Sequence, residues 1–321
     1  MTWDLTRSAN NRQTLAKAKW GGLRLALDLP KGKPLRRMGL KSAMSRIYAL
    51  TNQKGGVGKT TTAVSLAACL AALGQRVLIV DVDPQANATA SLGVDKNHLT
   101  ASVYDAFIND TPLTDIIQPT SQANLELAAS SPQLAGAEIE LVDMRGRETR
   151  LRAALRLVRD RYDYIIVDCP PSLGLLTVNA LAAAHGVVVP VQCEYLALEG
   201  LTQLMTTIQL VRRSLNPTLQ VRGLLLTMYD GRANLARQVR EQVQQHFGSQ
   251  VFGIVVPRNV RLAEAPSYGK PIIAYAPTSP GGLAYQALAQ ELLNGDQISG
   301  VKSQIPIAPA QGETPPASVE I

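Results

Sequence analysis

From Arg46 onward, short runs of apolar and β-branched residues alternate with longer stretches whose apolar positions recur at helical spacing. Runs of strand length cover Arg46 to Asn52, Arg76 to Asp81, Leu125 to Ala129, Tyr164 to Asp168, Gly186 to Pro190, Val221 to Met228 and Val251 to Val256. Helical spacing is clearest over Lys59 to Leu73, which Gly74 stops, and over Arg147 to Arg161, Leu198 to Leu215 and Ala233 to Phe247. Runs such as RVLIVD and YIIVD are continuously apolar but for charged end residues, which suits strands covered on both faces. The pattern predicts an α/β fold: a single doubly wound, mostly parallel sheet flanked by helices. No internal repeat is visible.

The two ends break the pattern. Residues 1–43 carry Gly21, Gly22, Pro30 and Pro34 and no sustained apolar period, and Met44 directly precedes a clean strand. This predicts a basic N-terminal extension, either a disordered arm or the product of an upstream start codon, with a functional basic segment that touches DNA or an anionic surface as the alternative. After Gly295 the chain turns to QIPIAPAQGETPPASVE, which predicts a disordered Pro-rich tail over residues 296–321. The folded domain is therefore placed at residues 44–295.

Composition then narrows the partners. The formal charge of +7 suggests nucleic acid, but residues 1–43 hold ten Lys/Arg against two Asp, leaving 22 basic and 23 acidic residues, a net of −1, for the rest. Any DNA contact by the folded part must be a local patch. The first thirty residues mix charge into every apolar patch and no uncharged apolar run is long enough to span a bilayer, so the expected location is cytoplasmic. Cys69, Cys169 and Cys193 are widely spaced and predict buried apolar residues rather than a disulfide framework or zinc site.

Chemistry enters at TNQKGGVGKTTT, Thr51 to Thr62. Gly58, Lys59 and Thr60 fill the last places of a Walker A loop, and Gln53 stands where the first glycine is usual. A strand before and a helix after make the loop of Gly55, Gly56, Val57 and Gly58 a cradle for phosphate at a helix N-terminus. In role, Lys59 would contact the outer phosphates, Thr60 would ligate Mg²⁺ and Thr61 would reach an inner phosphate. Lys54 is a second cation on the rim of the same loop. Two such ammonium groups repel, and a triphosphate between them would supply the compensating charge.

KGGVGKTT resembles the deviant Walker A box of the ParA/MinD family of ATPases, whose hallmark is the opening lysine. The resemblance implies that Lys54 acts in trans, reaching the partner's ATP across a nucleotide-sandwich homodimer, much as an arginine finger does. It also implies Asp83, in VLIVDVDPQANAT, for orienting the attacking water and Asp81 for supporting the Mg²⁺ shell, although a strand-end Asp capping the next turn fits Asp81 too. YDYIIVDCPPS resembles a Walker B strand whose Asp168 holds Mg²⁺. Alone that motif is weak; joined to the loop it is strong.

Further segments, PVQCEYLALEGL, GLLLTMYDGRANL and VPRNVRLAEAPSYGKPI, are similar to the ParA/Soj chromosome-partitioning branch. That likeness implies an adenine bordered by Met228, Pro257 and Arg258, and DNA contacts from Arg232 and Arg261. It implies a slow, DNA- and partner-stimulated ATPase with ATP and Mg²⁺ as cofactors, which dimerises on ATP, binds nucleoid double-stranded DNA without sequence preference and is released by a ParB-like protein. Two alternatives share the motifs: a ParA-like positioning ATPase for a plasmid or protein microcompartment, and a non-hydrolysing nucleotide-gated DNA-binding scaffold. A MinD-type membrane regulator would need a C-terminal amphipathic helix, which the Pro-rich tail does not offer.

Overall fold

The computed structural model describes residues 45–194 and 197–302. The extension expected over residues 1–43 and most of the expected tail lie outside the described residues. One sheet joins β1 (Arg46–Leu50), β2 (Val77–Asp81), β3 (Ile117–Pro119), β4 (Leu125–Ala128), β5 (Tyr164–Asp168), β6 (Gly186–Gln192) and β7 (Gln220–Thr227) in the order β3-β4-β2-β5-β1-β6-β7. Every pairing is parallel except that of β3 with β4.

Alternation along the strands divides the interior in two. Ile47, Ala49, Leu78, Val80, Ile165 and Val167 pack on one face with Phe107, Leu134 and Leu204. On the other face, Tyr48, Leu50, Val77, Ile79 and Ile166 meet Leu66 and Leu70 of the helix Lys59–Ala72 and Leu288 and Leu292 of the helix Pro280–Lys302. Each large side chain buried this completely contributes about 1.5–3 kcal/mol relative to exposure. Cys69, Cys169 and Cys193 are all buried as free thiols. No helix of the described residues is long and apolar enough to cross a membrane.

The structure departs from the sequence pattern in four places. Val251 to Val256 is not a strand; it makes only isolated bridges, Leu224 with Val251 and Tyr229 with Pro257. Phe252 N and Val256 N still donate to Leu224 O and Leu226 O of β7, both at 2.9 Å, but between them the N–H groups of Gly253 and Ile254 turn to the Glu291 carboxylate, at 2.8 and 3.2 Å, which breaks the ladder. The helix expected from Arg147 to Arg161 is broken into Arg150–Leu155 and a 3₁₀ turn Arg159–Arg161. β3, three residues long, carries too little pattern to be read. Finally, the last helix runs past the domain boundary placed at Gly295 to Lys302. Asp296 is buried and accepts from Tyr48 Oη at 2.7 Å, Tyr164 Oη at 3.0 Å and Arg222 Nε at 3.0 Å, so the fold extends beyond that boundary.

Because β1, β2 and β5 run parallel side by side, their carboxyl ends share one edge of the sheet. Open α/β sheets receive ligands at that edge.

Candidate active site

The loop between β1 and the helix Lys59–Ala72 turns through two glycines in the left-handed region, Gly56 at φ 73° and Gly58 at φ 85°. Side chains bearing a Cβ are strained there. No atom lies within 4 Å of where a Cβ would sit on Gly55 or Gly56, which leaves the loop open to an incoming group. Thr227 Oγ1 donates to Val57 O at 2.9 Å and ties the end of β7 to the loop.

Lys59 opens the helix and is buried, its Nζ donating to the Lys54 carbonyl at 3.0 Å. Burial lowers its pKa, and the negative charge of Asp168 and Asp83 opposes that shift. Lys54 instead turns its ammonium to Glu194 Oε2, at 2.6 Å. A protein carboxylate therefore meets the outer cation, while the inner one rests on a backbone carbonyl with carboxylate charge nearby.

The carboxyl ends of β2 and β5 place Asp81 and Asp168 in register as neighbours. Asp81 accepts from Thr89 N and Thr89 Oγ1, both at 2.8 Å, and from Asp83 N at 3.1 Å. Burial nevertheless raises its pKa to about 6, against the pull of those donors. Its carboxylate thus caps the turn that follows the strand. Asp83 lies in that turn, outside the strand, with its charge still acting on Asp81, Asp168 and Lys59. Asp83 Oδ1 accepts from Gln85 N at 2.9 Å, and its carbonyl accepts from Ser130 Oγ at 2.7 Å.

Asp168 is different. It is wholly buried, and neither carboxylate oxygen has a hydrogen-bond partner among the described residues. Burial pushes its pKa well above the ordinary carboxylate range, and the Asp81 charge adds to the shift; the Thr60 hydroxyl, close by but outside hydrogen-bond geometry, and the Lys59 ammonium oppose it. An unsatisfied buried carboxylate beside a phosphate loop has the chemistry of a hard-cation ligand. Among the described residues no group of three or more His, Cys, Asp or Glu could hold a metal alone. That suits magnesium, which is commonly held by one or two protein oxygens together with phosphates. The residues present therefore fit Mg²⁺ with a nucleotide.

Beside the loop opens a cavity of about 490 Å³ lined by Gly58, Thr61, Met228, Pro257 and Arg258, the residues expected around phosphate and adenine, and by Tyr285. Met228 takes φ 50° where β7 gives way to the loop. Thr89, Glu194, Thr227 and Tyr285 were missed as site residues. Thr227 had a signal, a polar residue closing the apolar run GLLL; the others owe their places to tertiary packing. The two expected DNA contacts lie apart from this cavity's lining. Arg232 is highly exposed and clasps Asp230 through Nε and Nη2, both at 3.0 Å, and Arg261 Nη1 donates to Glu264 Oε2 at 2.7 Å.

Comparison with known proteins gives a consistent picture. A protein-family model described as an AAA domain matches residues 45–221. The chain is 57% identical over 249 residues to the sporulation initiation inhibitor protein Soj of Bacillus subtilis, covering 78% of this chain and 98% of that protein. It is 54% identical over 255 residues to the chromosome partitioning protein ParA of Myxococcus xanthus, covering 79% and 90%. Among solved structures, a cobyrinic acid a,c-diamide synthase from Mycobacterium smegmatis with bound ADP and magnesium superposes with a TM-score of 0.71 at 39% identity, over 80% of this chain and 97% of that one. The septum site-determining protein MinD of Pyrococcus horikoshii, complexed with Mg-ADP, superposes at 0.64 with 26% identity, over 82% and 100%.

Proposed function

The chain belongs to the ParA/Soj family of chromosome-partitioning ATPases, and from that premise we propose how its own residues run a DNA-partitioning cycle. It is a partitioning ATPase whose cofactors are ATP and Mg²⁺. The observation that carries the site assignment is the Asp168 carboxylate, buried without a donor, in register with Asp81 and close to Lys59.

In this reading the amides of Gly55, Gly56, Val57 and Gly58 receive the phosphates, Lys59 balances the outermost charge and Thr61 contacts an inner phosphate. Thr60 and Asp168 hold the metal, while Asp81 fixes the turn that carries Asp83. When bound, Mg²⁺ neutralises charge on the phosphate oxygens. Asp83 orients the attacking water, and Lys54 exchanges Glu194 for the nucleotide of a second protomer. Met228, Pro257 and Arg258 border the base. ATP-driven dimerisation would bring the two protomers' Arg232 and Arg261 together on DNA phosphates, in exchange for Asp230 and Glu264. Such contact is non-specific and weakens steeply with salt. A ParB-like protein would stimulate the otherwise slow hydrolysis and release the dimer from nucleoid DNA.

Phosphate release with and without duplex DNA tests the enzyme reading. The wild type should turn over ATP faster on DNA, and Asp83→Ala should bind ATP, form dimers and release almost no phosphate. Equal turnover in that variant removes Asp83 from the chemistry; an ATP-loaded Asp83→Ala protein that stays monomeric removes the sandwich dimer.

A further inference from the structure

A second cleft, of about 460 Å³, lies at the opposite, amino edge of the sheet. It is bordered by Ile47 at the start of β1, by His185 just before β6 and by Thr218 just before β7. Ligand sites in this fold class belong to the carboxyl edge, so the nucleotide chemistry gives no reason for a polar cleft here. Arg152, Arg156 and Arg159 all line it.

The charge is not neutralised within the cleft. The Arg156 guanidinium has no hydrogen bond or ion pair among the described residues; only its backbone N–H is bonded, to Ala153 O at 3.2 Å. Arg152 Nη1 reaches only the Leu215 carbonyl, at 3.0 Å. Arg159 has the highly exposed Asp160 at 3.7 Å, a weak pairing. Yet positions 44–321 carry a net charge of −1, so three arginines converging without interleaved carboxylates are a local concentration rather than a share of a general excess.

His185 adds a directed donor. Its Nδ1 accepts from Ile47 N at 3.0 Å, which leaves the ring proton on Nε2. Burial, with Arg46 and Arg159 nearby, lowers its pKa and keeps the ring neutral at pH 7. Between these polar groups the wall is apolar, formed by Ala153, Leu155 and the Ala182 to Ala184 segment. Guanidinium forks beside an imidazole N–H suit phosphoryl oxygens, and the alanine wall suits the flat or aliphatic body of a small molecule.

The geometry points to a second ligand site at this cleft, one that takes a compact phosphorylated small molecule with its phosphates on Arg152, Arg156 and Arg159. The site is separate from the phosphate loop and independent of the partitioning reading. Its position beneath β1 and β6 places it on strands that also lead to the nucleotide loop.

Pyrophosphate is the probe. Titrated calorimetrically into full-length protein saturated with ADP and Mg²⁺, which occupy the loop, pyrophosphate should bind with one equivalent per chain. Arg156→Gln combined with Arg159→Gln should weaken that binding at least tenfold while leaving ADP affinity and melting temperature unchanged, because both side chains are exposed. No binding at millimolar pyrophosphate, or equal affinity in the double variant, overturns the proposal. A short DNA duplex is the second arm: displacement of pyrophosphate by duplex through the same arginines would make the cleft a nucleic-acid contact and overturn the small-ligand assignment.

Discussion

Both edges of the sheet bury carboxylates, and two of these, Asp296 and Asp168, are treated in opposite ways. At the amino edge Asp296 accepts from two phenols and a guanidinium, which fastens the last helix to β1, β5 and β7. At the carboxyl edge Asp168 is buried as deeply with no donor on either oxygen. A satisfied buried network locks a fold, whereas an unsatisfied one stores electrostatic cost where a ligand can relieve it. Burial alone does not mark a functional acid. The absence of partners does.

The contrast breaks most visibly at Asp296. Asp296→Ala should leave the half-buried Arg222 and the Tyr48 and Tyr164 hydroxyls without their carboxylate and cost about 3–5 kcal/mol, lowering the melting temperature by roughly 10 °C, with or without Mg²⁺. A calorimetric scan checks this. Asp168→Asn should do the reverse to the metal-free protein, stabilising it by about 1–3 kcal/mol by removing a buried carboxylate that lacks hydrogen-bond donors while abolishing Mg²⁺-dependent phosphate release. If Asp168→Asn destabilises as Asp296→Ala does, the two edges are alike and the contrast is gone.

Protonation sharpens the same point. Asp81 keeps its proton in the folded protein up to about pH 6, above the range in which an unfolded carboxyl loses it. A raised folded pKa means that the folded state binds more protons, so the stability contributed is greatest at low pH and is lost as pH rises through about 6. Asp168 is shifted in the same direction. Metal-free protein should therefore gain stability as pH falls from about 6 to about 4, between the folded and unfolded values of Asp81, and the gain should shrink in Asp168→Asn; chemical denaturation at stepped pH measures it. The smallest effect is expected at Thr89→Val, which removes one of the donors to Asp81 at a cost of about 0.5–1.5 kcal/mol. It should also slow phosphate release by loosening the Asp83 turn.

How much of this was legible in the sequence follows from the kind of force involved. β1, β2 and β5 were visible because strands covered on both faces read as near-continuous apolar runs. The phosphate loop was visible because left-handed backbone requires glycine at Gly56 and Gly58. Val251 to Val256 misled because its composition is that of a strand, and only a glutamate about forty residues away, Glu291, takes the donors of Gly253 and Ile254. The helix Pro280–Lys302 was hidden by the Gly281–Gly282 pair, which reads as a turn. A Cβ on Gly282 would meet the Ala276 carbonyl at 2.6 Å, so the glycine serves close packing. The Asp83 position and the Lys54 to Glu194 pair lay beyond the sequence because both depend on a loop conformation that local spacing does not encode.

The hydrogen bond from Lys59 Nζ to the Lys54 carbonyl has a mechanical consequence. The base of the loop grips its own rim, so whatever draws the buried ammonium toward a more negative guest must let go of the backbone that carries the outer lysine. Filling the pocket and loosening its rim become one motion.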